Sequence, residues 1–150
     1  LDLEQTFWRT FLANAPLFPG VFEVLNLLRS YSIPIGVVTD LTSHIQLRKL
    51  SYFNFEDTFD AVVCSEEVGF DKPNIVNFQL AITKLGLKDT SDIWMIGDNS
   101  ETDIIGGKNS GLITFQKIHK GVMQGKGNYE PDFIFNNYSE IRNYLNLIDT

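Results

Sequence analysis

The sequence is poor in residues that staple or anchor a chain. It has a single cysteine, Cys64, so no internal disulfide can form, which fits a reducing compartment such as the cytoplasm. Cys64 ends the apolar run Ala61-Val62-Val63-Cys64, where a small core residue is the expected role. No apolar run is long enough to cross a bilayer, and no signal-peptide pattern is visible. Basic residues are also scarce. Twelve against 19 acidic ones leave a net charge of −7, which argues against nucleic acid or an anionic membrane as partner. The two histidines, His44 and His119, have no companions at metal-ligand spacing, and both are expected at the surface.

With 150 residues, 43% apolar and 21% charged, the chain suffices for one domain with a sizeable core. Ile33–Val38, Ala61–Cys64, Ile93–Ile96, Leu112–Phe115 and Phe133–Phe135 read as buried strands. Between them, Val21, Val24, Leu25 and Leu28 mark one helical face. Ile75, Phe78, Ile82 and Leu85 mark another, with Asn74 as cap and Gly86 as stop. Ile141, Tyr144, Leu145 and Ile148 repeat the spacing behind Ser139 as expected cap. Such alternation predicts an α/β fold, a mainly parallel sheet with helices on both faces. Ligands of such sheets sit beyond the carboxyl ends of the strands.

The segment from Leu3 to Ala15 is aromatic-rich and helix-like, with no strand before it, and Pro16 to Gly20 break the chain after it. Residues 117–131 read as a polar, glycine-bearing, mobile loop. Its Gly-Lys-Gly lacks the preceding strand and the Lys-Ser/Thr ending of a phosphate-binding P-loop.

Three strand ends carry polar residues suited to phosphate and metal. In Val38-Thr39-Asp40 the Thr39 hydroxyl can bond a phosphoryl oxygen, although a cap or turn role would also place it there. Lys72 precedes Pro73, which biases it away from helix. It can neutralise a phosphate or a nucleophilic carboxylate, or simply be a solvated surface charge. In Ile93-Trp94-Met95-Ile96-Gly97-Asp98-Asn99-Ser100-Glu101-Thr102-Asp103, four apolar residues run into three acids. Mg²⁺ needs only one or two carboxylates, because it keeps several waters. Favourable placement at a helix start also accounts for Glu101 and Asp103, but less well for Asp98.

Together, Val38-Thr39-Asp40, Gly69-Phe70-Asp71-Lys72-Pro73 and Gly97-Asp98 through Asp103 resemble, in order, three signatures of the haloacid dehalogenase-like hydrolase superfamily, in its capped phosphoglycolate-phosphatase-like branch. Pro19-Gly20-Val21, Cys64-Ser65-Glu66-Glu67-Val68-Gly69 and Gly106-Gly107-Lys108-Asn109-Ser110-Gly111 resemble its connecting text. The resemblance implies a Rossmann-like core and Mg²⁺-dependent hydrolysis of small phosphate esters through an aspartyl-phosphate. It gives Thr39 and Asp40 to phosphoryl binding and makes Lys72 the stabilising cation. Asp98 becomes a direct Mg²⁺ ligand and Asp103 a supporting one.

There are departures from the family pattern. Asp40 stands where relatives usually carry asparagine, and Gly107 where alanine is commoner. The family's nucleophile lies in an Asp-x-Asp motif ending the central strand. Asp2-Leu3-Glu4 mimics the spacing, but no apolar strand precedes it. Residues 1–18 are therefore expected to be a remnant of a helical cap, and 19–150 the core without its nucleophile strand. The expected consequence is a gap between the strands ending near Thr39 and Asp98, which a complementing N-terminal segment of the same protein would fill. Two other readings of the same fold are a halide-releasing dehalogenase and a non-catalytic interaction module. A phosphorylated receiver domain fits poorly, since its acids come early and its lysine late.

Overall fold

The computed structural model describes residue 7 and residues 10–148. Residues 1–6, 8 and 9 of the expected cap remnant, Asp2 and Glu4 among them, lie outside these. Residues 10–13 are helical. The elements that follow are α1 (Val21–Ser30), β1 (Gly36–Thr39), α2 (Ser43–Tyr52), β2 (Ala61–Cys64), α3 (Ser65–Val68) and α4 (Ile75–Lys84). Then come β3 (Trp94–Gly97), a π-helical turn over Ser100–Ile104, α5 (Ile105–Asn109), β4 (Ile113–Lys117), β5 (Phe133–Phe135) and α6 (Tyr138–Ile148).

All strand pairs are parallel, in two separate sheets. β1 pairs with β2, Thr39 opposite Cys64. β4 lies between β3 and β5, with Gly97 opposite Gln116 and Phe115 opposite Phe133. Among the described residues no ladder joins β1 to β3, so the break falls where the sequence led us to expect it.

The period-2 alternation of β4 assigns its faces. Phe115 points to a core of Val24, Phe135, Ile141 and Leu145, contributed by α1, β5 and α6. On the other face, a β-carbon at Gly107 of α5 would press on Met95 and Thr114. Helices therefore cover both faces. The buried Phe78 of α4 lies against Gly106 of α5, where any side chain would collide with its ring. α4 also packs on β1 and β2, so it links the two sheets. No described helix is long and apolar enough to cross a membrane.

Local chemistry moves some boundaries. β1 starts at Gly36 rather than Ile33, because the Ile33 N–H closes α1 on Leu28 O (2.9 Å) and Pro34 has no donor. Asn74 caps α4 through its Oδ1 and the Val76 N–H (3.0 Å), and Gly86 follows at φ 70°. Ser139, expected as a cap, lies inside α6. Glu140 instead reaches back to accept from the N–H groups of Asn136 and Asn137, both at 3.1 Å. Cys64 is buried.

Two predictions follow from this packing. Phe115 is 1% exposed and stacks on Trp94 and Phe133 at ring distances of 4.5 and 4.7 Å. Phe115→Ala should cost about 3–5 kcal/mol in urea denaturation, whereas truncating the exposed Leu147 should cost under about 0.5 kcal/mol. Asp132 accepts from the N–H and hydroxyl of Thr114, each at 2.7 Å, tying β4 to the start of β5. The Thr114 N–H above all, partly offset by burial, holds its carboxyl below the usual range. A depressed folded-state value stabilises above the unfolded value and is lost as pH falls through the folded one. Asp132→Asn should therefore lose under about 1 kcal/mol at neutral pH, the site being exposed. In urea melts at successive pH values, that difference should close below roughly pH 4.

Candidate active site

β1, β2 and β3 all deliver their carboxyl ends to the same region, and Lys72 bridges the sheets there. Its Nζ lies 2.7 Å from Asp103 Oδ1, with the two side chains 13% and 8% exposed. Its backbone N–H donates to Asp40 Oδ1 at 2.9 Å, fastening it to the end of β1. Thr39, half-buried beside Asp40, donates its hydroxyl to Asp40 O at 3.2 Å. Asp40 O also accepts from Gln46 of α2 (2.8 Å), and the Leu41 N–H donates to Ser65 Oγ of α3 (3.1 Å). The structure thus brings Asp40, Lys72 and Asp103 into one hydrogen-bonded chain, with Thr39 alongside.

Asp103 is held from behind. Its Oδ2 accepts from the backbone N–H groups of Asp98 and Asn99, both at 3.2 Å, and its own N–H donates to Asn99 O at 2.8 Å. Asn99 Oδ1 caps the turn by accepting from the Glu101 N–H (2.9 Å). The carboxylate packs so closely on the strand end that a β-carbon at Gly97 would run into it. That is why glycine precedes Asp98. A π-helical turn at this point (a form often found at functional sites) aims Asp103 inward rather than along the helix surface.

Asp98 faces the other way, with its side chain 49% exposed. Oδ2 lies 2.9 Å from His119 Nε2, while Oδ1 makes no hydrogen bond among the described residues. As donors for Mg²⁺ the two acids are therefore unequal. Asp98 offers a hard oxygen to solvent, whereas both oxygens of Asp103 are engaged by Lys72 and two amides. Among the described residues no group of three or more His, Cys, Asp or Glu converges. The donors fit one or two positions of an octahedral shell, with waters and further ligands to complete it.

Two contributors were missed by sequence reasoning. His119, expected on the surface, is 28% exposed and pairs with Asp98 while packing on Phe18 at 5.0 Å. The 21 residues separating it from Asp98 carry no periodic signal. Gln116 is fully buried. Its amide nitrogen donates to Asp98 O (3.0 Å) and Met123 O (2.9 Å), and its Oε1 accepts from the Gly125 N–H (2.9 Å). The loop expected to be mobile is thus tied down at its first half. Lys117, at its start, is buried in β4, donating to Ile118 O and Asn136 O with the Phe18 ring 4.5 Å away. A polar residue on the face of β4 opposite Phe115 was the available hint. Tyr138 borders this side, its phenol pushed up by burial and then by the charge of Asp98. His44 is exposed and bonds Arg48.

Comparison with known proteins gives this constellation a context. Residues 5–116 match the family described as haloacid dehalogenase-like hydrolase. The chain is 42% identical over 96 residues to the pyrimidine 5'-nucleotidase YjjG of Escherichia coli, covering 64% of this chain and 42% of that protein. It is 37% identical over 114 residues to a ribulose-1,5-bisphosphate 5-phosphatase of Halopiger xanaduensis, covering 76% of this chain and 47% of that protein. It therefore spans under half the length of these two relatives. Among solved structures, a HAD phosphatase from Thermococcus onnurineus superposes with a TM-score of 0.82 at 25% identity, over 97% of this chain and 66% of that one. The HAD-hydrolase YfnB of Bacillus subtilis, solved bound to magnesium, has the same score and identity over 96% and 62%.

Removing one member of the buried Lys72–Asp103 pair leaves an uncompensated charge. Asp103→Asn is expected to cost about 3 kcal/mol in urea denaturation, and Lys72→Met combined with Asp103→Asn should cost well under the sum of the two single losses. Losses that simply add would mean that the pair is not coupled.

Proposed function

The chain belongs to the haloacid dehalogenase-like hydrolase family, and we propose that it forms the larger part of a Mg²⁺-dependent phosphomonoesterase acting on a small-molecule phosphate ester. The observation that carries this reading is the convergence of Thr39, Lys72, Asp98 and Asp103 at one end of two parallel sheets, with Lys72 fastened to both. Phosphoryl transfer is largely a matter of positioning and charge neutralisation, and these side chains are of the types it requires.

In this reading Thr39 donates its hydroxyl to a phosphoryl oxygen. Asp40, which sits beside it, lowers the affinity for highly charged phosphates. Lys72 offsets the charge of the phosphoryl group and of an attacking carboxylate. Asp103 does not touch substrate. It holds the ammonium of Lys72 on one side and orients the Asp98 loop through two amides on the other. Asp98 is the direct metal ligand, its carboxylate steadied by His119, and Asp103 supports the site from behind. Mg²⁺ bound there would supply the additional positive charge that phosphoryl oxygens need.

The nucleophilic carboxylate and the other metal ligand belong to a strand that fills the gap between β1 and β3, contributed by an N-terminal segment of the same protein. The open ladder edges facing that gap and the share of each relative that the chain spans both support this arrangement. Residues 1–18 then close a helical cap, and 19–150 form the core. A reducing, cytoplasmic setting agrees with the free thiol of Cys64.

The 150-residue chain alone is expected to show no turnover of p-nitrophenyl phosphate with Mg²⁺. In protein that includes the gap-filling strand, turnover should appear, and Lys72→Ala and Asp98→Asn should each lower kcat/KM by about 100-fold or more. Robust hydrolysis by the chain alone, abolished by Asp2→Asn, would overturn the split-site reading.

A further inference from the structure

Next to Thr39 and Lys72 lies an open cavity of about 430 Å³ between the loop after β1 and the loop after β2. Its lining has two distinct characters. Leu41 and Phe70 form apolar walls, 52% and 58% exposed, and Asp40, Glu66 and Asp71 supply carboxylates. No lysine, arginine or histidine lines it. Glu66 is occupied by the Ser43 N–H (2.8 Å) and Asp40 by that of Lys72 (2.9 Å), whereas the exposed Asp71 carboxylate makes no hydrogen bond among the described residues.

Leu41 adds an independent observation. Its φ is 94°, a backbone region that a branched, non-glycine residue enters only at a cost. The strain leaves a leucine side chain half in solvent at a strand end, one residue from Asp40. A core residue would be buried for that cost, and a plain turn would take glycine or asparagine there.

We propose that this cavity receives the leaving group of the ester and selects monoesters with an uncharged, apolar leaving group against those carrying a second phosphate. The inference rests on the phosphomonoesterase reading and adds the substrate class to it. Leu41 and Phe70 provide the attractive element by covering a flat or branched apolar surface. The repulsive element comes from the carboxylates, since a second phosphate would enter a space with three acids and no cation. The positive charge of Lys72 is already committed to Asp103 and the transferring phosphoryl group.

The test is an amide-resolved NMR titration of the 150-residue chain with inorganic phosphate, phenyl phosphate and fructose 1,6-bisphosphate. Inorganic phosphate should shift the amides of Thr39 and Lys72. Phenyl phosphate should bind about tenfold more tightly and also shift Leu41 and Phe70, and the bisphosphate should bind no better than inorganic phosphate. Phe70→Ala should bring phenyl phosphate down to the level of inorganic phosphate. Asp71→Lys, an exposed change that leaves the fold alone, should raise bisphosphate affinity several-fold. Phosphate shifts at Thr39 and Lys72 without a gain for phenyl phosphate, or with a preference for the bisphosphate, would overturn the specificity inference alone. No phosphate shifts at those two residues would take down the phosphomonoesterase reading together with it.

Discussion

The ion pair between Lys72 and Asp103 is the contact on which the arrangement at the strand ends depends. Among the described residues the two sheets share no ladder, and their carboxyl ends are held in register by the packing of α4 on α5 and by this bridge. Its geometry is supported on both sides. The Lys72 backbone is fixed to Asp40 at the end of β1, and Asp103 is fixed to the amides that follow β3. With both side chains largely withdrawn from water, the pair repays its desolvation only because the remaining oxygen of Asp103 is also satisfied. Gly97 makes this possible by leaving room for the carboxylate against the strand.

A functional division of labour follows from the same geometry. Asp98 directly follows β3, and Asp103 lies five residues on, inside the turn. Here the π-helical turn separates them, turning Asp103 inward to the lysine and leaving Asp98 half exposed beside His119. One acid organises the strand ends and the other faces solvent. The carboxylate–imidazole contact and the buried Gln116 amide brace Asp98 from the side chain and from the backbone, so its position is set by β4 as well as by its own loop.

Much of this could be read before the structure. The apolar periods located every strand and the three main helical faces. Asn74 and Gly86 bounded α4 correctly, and the three polar strand ends were brought to one region. The boundaries that moved did so through single bonds invisible to periodicity, as when the Ile33 N–H is used to finish α1, or when Glu140 rather than Ser139 caps α6. His119 and Gln116 escaped notice for a related reason. Each acts through a partner about 20 residues distant, and a lone histidine or glutamine carries no pattern until the chain has folded around it. Leu41 likewise looks like an ordinary apolar residue in sequence, because its strain resides in the backbone.

The interruption between β1 and β3 has a consequence for how the chain behaves toward its own copies. Among the described residues two four-residue strands, Gly-Val-Val-Thr and Trp-Met-Ile-Gly, each present one unpaired row of backbone donors and acceptors. Neither strand carries a charged residue or a proline to discourage pairing. A ladder edge of this kind is indifferent to whose strand completes it, so it is a template for an identical neighbour. The net charge of −7 works against such encounters through long-range repulsion, and that protection weakens as salt screens it. Colloidal stability thus depends on how that open edge is kept from its copies.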